Sequence, residues 1–128
     1  MVNYVLDASA LLALFHGEPG NEKVIQAIKE GAAMSAVNLA EVTSKLNDQK
    51  IPEAIVQDVI GILPLTIVDF HVEFAHKVGL LRSPTKHAGL SLGDRACLAL
   101  AMHLQVPAIT ADRVWEKLSL DITIQVLR

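Results

Sequence analysis

The sequence has 128 residues, 52% of them apolar and only 4% aromatic, with 11 Lys and Arg against 14 Asp and Glu for a formal net charge of −3. A chain of this size is one ordinary domain, able to bury a single core built from Leu, Ile, Val and Ala. The weak negative charge excludes a protein that grips nucleic acid through a broad basic surface. The scarcity of rings excludes a stacking platform for single strands.

In chain order, residues 2–6 read as a buried strand that Asp7 interrupts. Residues 8–15 suit a short helix, ended by a turn at 17–20 that holds Gly17 and Gly20. Residues 21–30 are amphipathic and place Val24, Ile25 and Ile28 at helical spacing. Residues 32–35 suit a second strand. A helix is expected over 37–49, and Pro52 opens another that runs to Gly61. Residues 65–68 are a β-rich third strand, and 72–81 are helical. Residues 82–90 contain Pro84 and Gly89 and read as a loop. Residues 92–104 form a nearly all-apolar helix, expected to be central. The lone Cys97 lies in it as a small hydrophobe, and without a disulfide partner it suits a reducing compartment. A fourth strand follows at 108–110, a short helix at 112–118 and a final strand at 122–127.

Neither a repeat nor a linker divides the sequence, so residues 1–128 read as a single domain. The N-terminus carries no signal-peptide pattern, and no apolar run approaches the ~20 residues of a membrane span. A soluble, cytoplasmic protein with no membrane association is expected.

Strands alternating with helices imply a mainly parallel α/β sheet with right-handed crossovers. In such sheets ligands sit beyond the carboxyl ends of the strands. Asp7 follows the first strand there, and Asp112 follows the fourth just after Thr110. Glu41 lies two turns into the helix after the second strand, and Asp94 opens the central helix. Carboxylates brought that close repel one another unless a cation neutralises them. Oxygen donors suit Mg²⁺ or Mn²⁺, which activate water and stabilise charge on a transferring phosphoryl group. Each acid also has a local reading. Asp7 and Asp112 are good N-caps, and Asp94 stands three residues after Ser91 as in a capping box. Glu41 lies about 200° from the Leu39, Val42, Leu46 stripe, so its local reading is a solvated surface charge.

Four segments carry a family resemblance. They are Val5-Leu6-Asp7-Ala8-Ser9-Ala10-Leu11-Leu12-Ala13, Ser35-Ala36-Val37-Asn38-Leu39-Ala40-Glu41-Val42, Leu90-Ser91-Leu92-Gly93-Asp94-Arg95-Ala96-Cys97-Leu98-Ala99-Leu100-Ala101, and Thr110-Ala111-Asp112-Arg113-Val114-Trp115. Together, in this order and spacing, they resemble the PIN-domain nucleases, most closely the VapC-type toxins of bacterial toxin–antitoxin pairs. The resemblance implies a three-layer α/β/α sandwich and metal-dependent cleavage of RNA with Mg²⁺ or Mn²⁺. It implies Asp7, Asp94 and Asp112 as metal ligands, with Glu41 completing the catalytic set. It also implies that Ser9 and Thr110 bond within the acidic cluster, where local turn and cap bonds are the alternative. As partners it implies an RNA substrate, a second copy of the chain and a cognate antitoxin protein.

Arg82, Lys86 and His87 precede Asp94 and are candidates for RNA phosphate contact, against a reading as solvated loop charge. His16 and His87 titrate in a useful range but fall in no motif. Three competing readings remain: a housekeeping RNA-processing PIN nuclease, a non-catalytic PIN module and a receiver-like signalling domain. A receiver wants an Asp after its middle strand, where Asp69 follows Val68, but also a Lys where this chain has Ala111 and Asp112. A haloacid-type phosphatase wants two aspartates two apart after the first strand, and Asp7 is followed by Ala8 and Ser9.

Overall fold

Five short aliphatic runs make the sheet: β1 (Tyr4–Leu6), β2 (Ala32–Ser35), β3 (Leu65–Val68), β4 (Ala108–Thr110) and β5 (Ile124–Val126). They were traced in a computed structural model that describes all 128 residues. Seven helices surround them: α1 (Ala8–Phe15), α2 (Asn21–Glu30), α3 (Ala36–Asp48), α4 (Glu53–Ile62), α5 (Val72–Leu80), α6 (Arg82–Thr85) and α7 (Leu92–Leu104). Two 3-10 turns, Lys86–Ala88 and Arg113–Lys117, complete the chain.

All strand pairs are parallel, and the order is β3-β2-β1-β4-β5. Tyr4 stands opposite Ala32, and Val5 opposite Ala108. The period-2 alternation of strands sends successive side chains to opposite faces. Leu6, Ala32, Met34 and Ile109 pack with residues of α1 to α4, among them Leu11, Val24, Val42 and Val56. Val5, Ala33 and Ala108 pack on the other side with Phe74 and Val78 of α5 and with Leu98 and Leu100 of α7. The result is the expected α/β/α sandwich. The order is not the 2-1-3-4-5 of flavodoxin-like receivers, so the receiver reading fails at the level of topology.

The chain steps outward from β1 through β2 to β3 and then returns to the other side of β1 for β4 and β5. The topological switch point therefore lies between β1 and β4.

Five local expectations are corrected. The first strand begins at Tyr4 rather than residue 2, and the last is confined to Ile124–Val126, because Ile122 N–H closes a tight turn onto the Leu120 carbonyl. Residues 82–90 are mostly helical rather than a loop. Pro84 sits in the first turn of α6, where its missing N–H has no partner to lose, and Thr85 Oγ1 donates to the Leu81 carbonyl at 2.7 Å. The segment ends where Gly89 takes a φ of +65°. The short helix expected over 112–118 is a 3-10 turn. Ile25 is not on the buried face of α2; it is 38% exposed, and Ala27 joins Val24 and Ile28 instead.

Helix α7 runs through the core, buried from Arg95 to Ala101. Leu98 on it is fully buried, so Leu98→Ala removes transfer energy and leaves a cavity. A loss of about 2–5 kcal/mol is expected in urea unfolding, with an unchanged slope. A loss well under ~1 kcal/mol would show that α7 is not central.

Candidate functional site

Each acid is set by a local structural rule. Asp7 directly follows β1 and caps α1, its Oδ1 accepting from Ala10 N–H at 2.8 Å. Ser35 ends β2 and caps α3. Ser91 and Asp94 form a reciprocal capping box at the start of α7, with Ser91 N–H donating to Asp94 Oδ2 at 2.9 Å. Asp112 caps the turn Arg113–Lys117, its Oδ1 accepting from Val114 N–H at 3.0 Å. The capping readings of Asp7, Asp94 and Asp112 are therefore geometrically correct. Capping uses only part of a carboxylate's accepting capacity, so it does not exclude a second role.

Asp7 is 3% exposed. Ser9 Oγ donates to its Oδ1 at 2.7 Å, and Thr110 Oγ1 donates to its Oδ2 at 2.5 Å. Each hydroxyl has one proton, and each spends it on Asp7, so the 3.3 Å contact between Ser9 Oγ and Thr110 Oγ1 has no proton left to it. The same oxygens accept from backbone: Ser9 from Ala111 N–H at 2.9 Å and Thr110 from Asp112 N–H at 3.0 Å. Ser9 and Thr110 thus bond to an acid of the cluster and tie β1 to the segment after β4.

Burial raises the Asp7 pKa from 3.8 to about 6. The bonds from Thr110, Ala10 and Ser9 pull it down, and the charge of Asp94 adds to the rise. Burial also raises the pKa of Glu41, where the Asn38 bond opposes the rise and the charge of Asp94 reinforces it. Beneath them Cys97 is wholly buried, and burial followed by the fields of Asp7, Asp94 and Glu41 pushes its thiol up. Asp7, Glu41 and Asp94 therefore lie within electrostatic reach of one another. Asp112 is exposed and joins them only through its backbone bond to Thr110.

Glu41 is not the freely solvated charge of its local reading. It is half-buried, because the face opposite the Leu39, Val42, Leu46 stripe lies against the first turn of α7. Asn38 Nδ2 donates to Glu41 Oε1 at 2.8 Å and to the Gly93 carbonyl at 3.0 Å. A Cβ added at Gly93 would overlap the whole Glu41 carboxylate. Asn38 and Gly93 were given no role in the sequence. The available signal was an amide three residues before an acid on one helix, within side-chain reach. Arg95 was also missed: it is 8% exposed, and its Nη1 donates to the Val78 carbonyl of α5 at 3.0 Å, joining α5 to the start of α7.

The acids supply oxygen donors only, which suits a hard divalent cation. No group of three or more His, Cys, Asp or Glu is close enough to form a ready cage. The donor set therefore fits an ion that keeps several of its waters, as Mg²⁺ does with one or two carboxylates. Arg82 and Lys86 are exposed and make no ion pair, and His87 Nε2 lies 3.2 Å from the Lys117 carbonyl oxygen. None of the three bonds to the acids. His16 is engaged with Gln49 and Glu18, away from the acids.

The family model of the PIN domain matches residues 4–120. No curated protein matches the sequence. Among solved structures, DNA-bound VapBC from Salmonella typhimurium superposes with a TM-score of 0.76 at 17% identity, covering 100% of both chains. A toxin–antitoxin complex from Klebsiella pneumoniae gives 0.73 at 18%, covering 98% of each. VapC20 from Mycobacterium tuberculosis, a sarcin–ricin loop cleaving toxin, gives 0.69 at 12%, covering 87% of this chain and 91% of that one. At these identities the likeness is one of fold.

The Asp7 environment makes stability depend on pH. The folded state holds the Asp7 proton more tightly than the unfolded chain, with pKa about 6 against 3.8. That contribution is complete below about pH 4 and is lost as pH rises through about 6. Above it, the metal-free fold carries a cost of about 3 kcal/mol. Asn at this position retains the cap, accepts from Ser9 and Ala10, and donates to Thr110. Asp7→Asn is expected to raise the melting temperature of metal-free protein at pH 8 and to give no gain at pH 4. A variant less stable than wild type at pH 8 would contradict the burial cost.

Proposed function

The chain belongs to the PIN-domain family, and from that premise we propose that it is an endoribonuclease that works with a divalent cation, Mg²⁺ or Mn²⁺, and serves as the toxin of a toxin–antitoxin pair. The observation that carries the reading is the burial of Asp7 beside β4 at the switch point, within the field of Asp94, which also acts on Glu41. Like charges that act on one another in this way are suited to a cation.

Asp7 and Asp94 would hold the ion, with Asp112 at the exposed rim. A bound cation supplies Lewis-acid stabilisation of phosphoryl charge and a water acidic enough to attack near neutral pH. The chain's own groups do the rest. Ser9 and Thr110 fix both Asp7 oxygens and favour the ionised form. Glu41, with its raised proton affinity, accepts a proton from attacking water. Arg82 and Lys86, exposed and unpaired before α7, contact RNA phosphates, and His87 adds a third basic side chain.

The toxin role is supported by the shared fold of a toxin–antitoxin complex and of a loop-cleaving toxin. A groove of about 620 Å³ between α3 and α4 sets the apolar Leu39, Ile51, Val56 and Ile60 among polar residues such as Thr43, Asn47 and Glu53, and suits an amphipathic helix of a partner. The cognate antitoxin is the occupant this reading gives it. No helix is long and apolar enough to cross a membrane. In this reading residues 1–128 act as one domain, as a homodimer in the cytoplasm.

Purified protein is expected to cut RNA with Mg²⁺ or Mn²⁺ and to lose that activity in EDTA; undiminished cleavage in chelator overturns the metal mechanism. Asp94→Asn is expected to lower cleavage by orders of magnitude, although loss of charge at the α7 N-terminus costs only ~0.3–1 kcal/mol. Expression of wild type, but not of Asp94→Asn, is expected to arrest growth, with relief by a neighbouring antitoxin gene. Harmless expression of an RNA-cleaving wild type would favour a housekeeping enzyme instead.

A further inference from the structure

Asn38 stands on α3 at 1% exposure, where an apolar residue would be the ordinary occupant. Its Nδ2 donates to two oxygens, Glu41 Oε1 at 2.8 Å and the Gly93 carbonyl at 3.0 Å. The Gly93 carbonyl only accepts, and so does an ionised Glu41. The amide nitrogen must therefore face them, and the rotation of the amide is settled by chemistry. Its other end, Oδ1, is thereby buried with no partner. A buried acceptor without a donor lowers stability, so the amide is not explained by folding alone.

The opposite side of Glu41 is equally constrained. Gly93 presents bare backbone to the carboxylate, and any Cβ there would overlap it. Asp94 follows directly on the same turn. A glutamate on an open helix surface samples several rotamers. Here the side chain is held between an amide from its own helix and the backbone of α7.

We propose that Asn38 is a positioning residue, which acts through Glu41 and the Gly93 carbonyl to lock the Glu41 carboxylate against the first turn of α7. The proposal rests on the reading of these acids as a cation-dependent nuclease site. Asn38 itself touches neither substrate nor ion. Its contribution is to remove the freedom of Glu41 and to couple the start of α3 to the start of α7.

The test is a double-mutant cycle between Asn38 and Glu41, read by Mn²⁺ binding calorimetry and by single-turnover cleavage of RNA. Asn38→Leu is near-isosteric and removes both donors. It is expected to weaken Mn²⁺ binding or slow cleavage about 10–100-fold, as loss of an outer partner of a metal site does, with the half-saturating RNA concentration unchanged. In a Glu41→Ala background the same substitution is expected to change neither quantity further, because nothing is left to position. Equal effects in both backgrounds, or a folded Asn38→Leu protein with wild-type Mn²⁺ binding and cleavage, would overturn the proposal. If Asn38→Leu does not fold, Asn38→Ala removes the amide without adding bulk and decides by the same cycle. A wild type that neither binds Mn²⁺ nor cuts RNA refutes the nuclease reading, and this proposal with it. A competent wild type with unaffected Asn38 variants refutes only this proposal.

Discussion

Taking the Asp7 carboxylate out of water costs more than its partners return. It accepts from two hydroxyls and one backbone N–H, and hydrogen bonds to a charged group contribute about 1.5–3 kcal/mol each. Its pKa nevertheless stands near 6, so desolvation wins. Set against a typical folding stability of about 5–15 kcal/mol, a cost of about 3 kcal/mol is a large fraction. The surrounding structure reads as what this one group requires. Ser9 must lie on the first turn of α1, and Thr110 must end β4 beside it. Both demands are met because β1 and β4 are paired neighbours, with the crevice between them.

The same constraint explains why the acids come from distant parts of the chain. A parallel sheet carries all its strand ends to one edge, and the helices that follow begin there. Asp7 directly follows β1 and Asp94 lies in the first turn of α7. Glu41 comes from α3, which begins as soon as β2 ends. The start of α7 is held down by the Ser91–Asp94 box and by Arg95 reaching the end of α5. Glu41 and Asp94 lie within helices and Asp7 and Asp112 cap the elements that follow them, so packing of those elements sets their spacing.

Much of this was legible in the sequence, for identifiable reasons. Strands as short as Leu65–Val68 stood out because β-branched residues are bounded by polar or turn residues, and Leu92–Leu104 because few charges interrupt it. The order of Asp7, Glu41, Asp94 and Asp112 was visible as strand-end placement. What was hidden depends on contacts between distant segments. The angle of Glu41 on α3 was read correctly, but periodicity does not say that α7 covers that face. Pro84 and Gly89 signalled a loop, although Pro fits a first helical turn as well as it breaks a later one. Ile25 fell on the right arc of α2 and lost its place to a smaller residue. Asn38 was legible only as an amide within reach of Glu41, because its other partner is a carbonyl 55 positions away.

The two outer strands have a consequence for how copies of this protein meet. β3 has four residues and β5 only three, and each is bonded on one side alone. Edges this short expose few free backbone donors and acceptors, which is one way natural sheets resist uncontrolled strand addition. Growth of the sheet across molecules is therefore poorly templated, and assembly is left to side chains on the helical layers. Crowding such a protein in a cell favours discrete complexes of fixed size over fibrils.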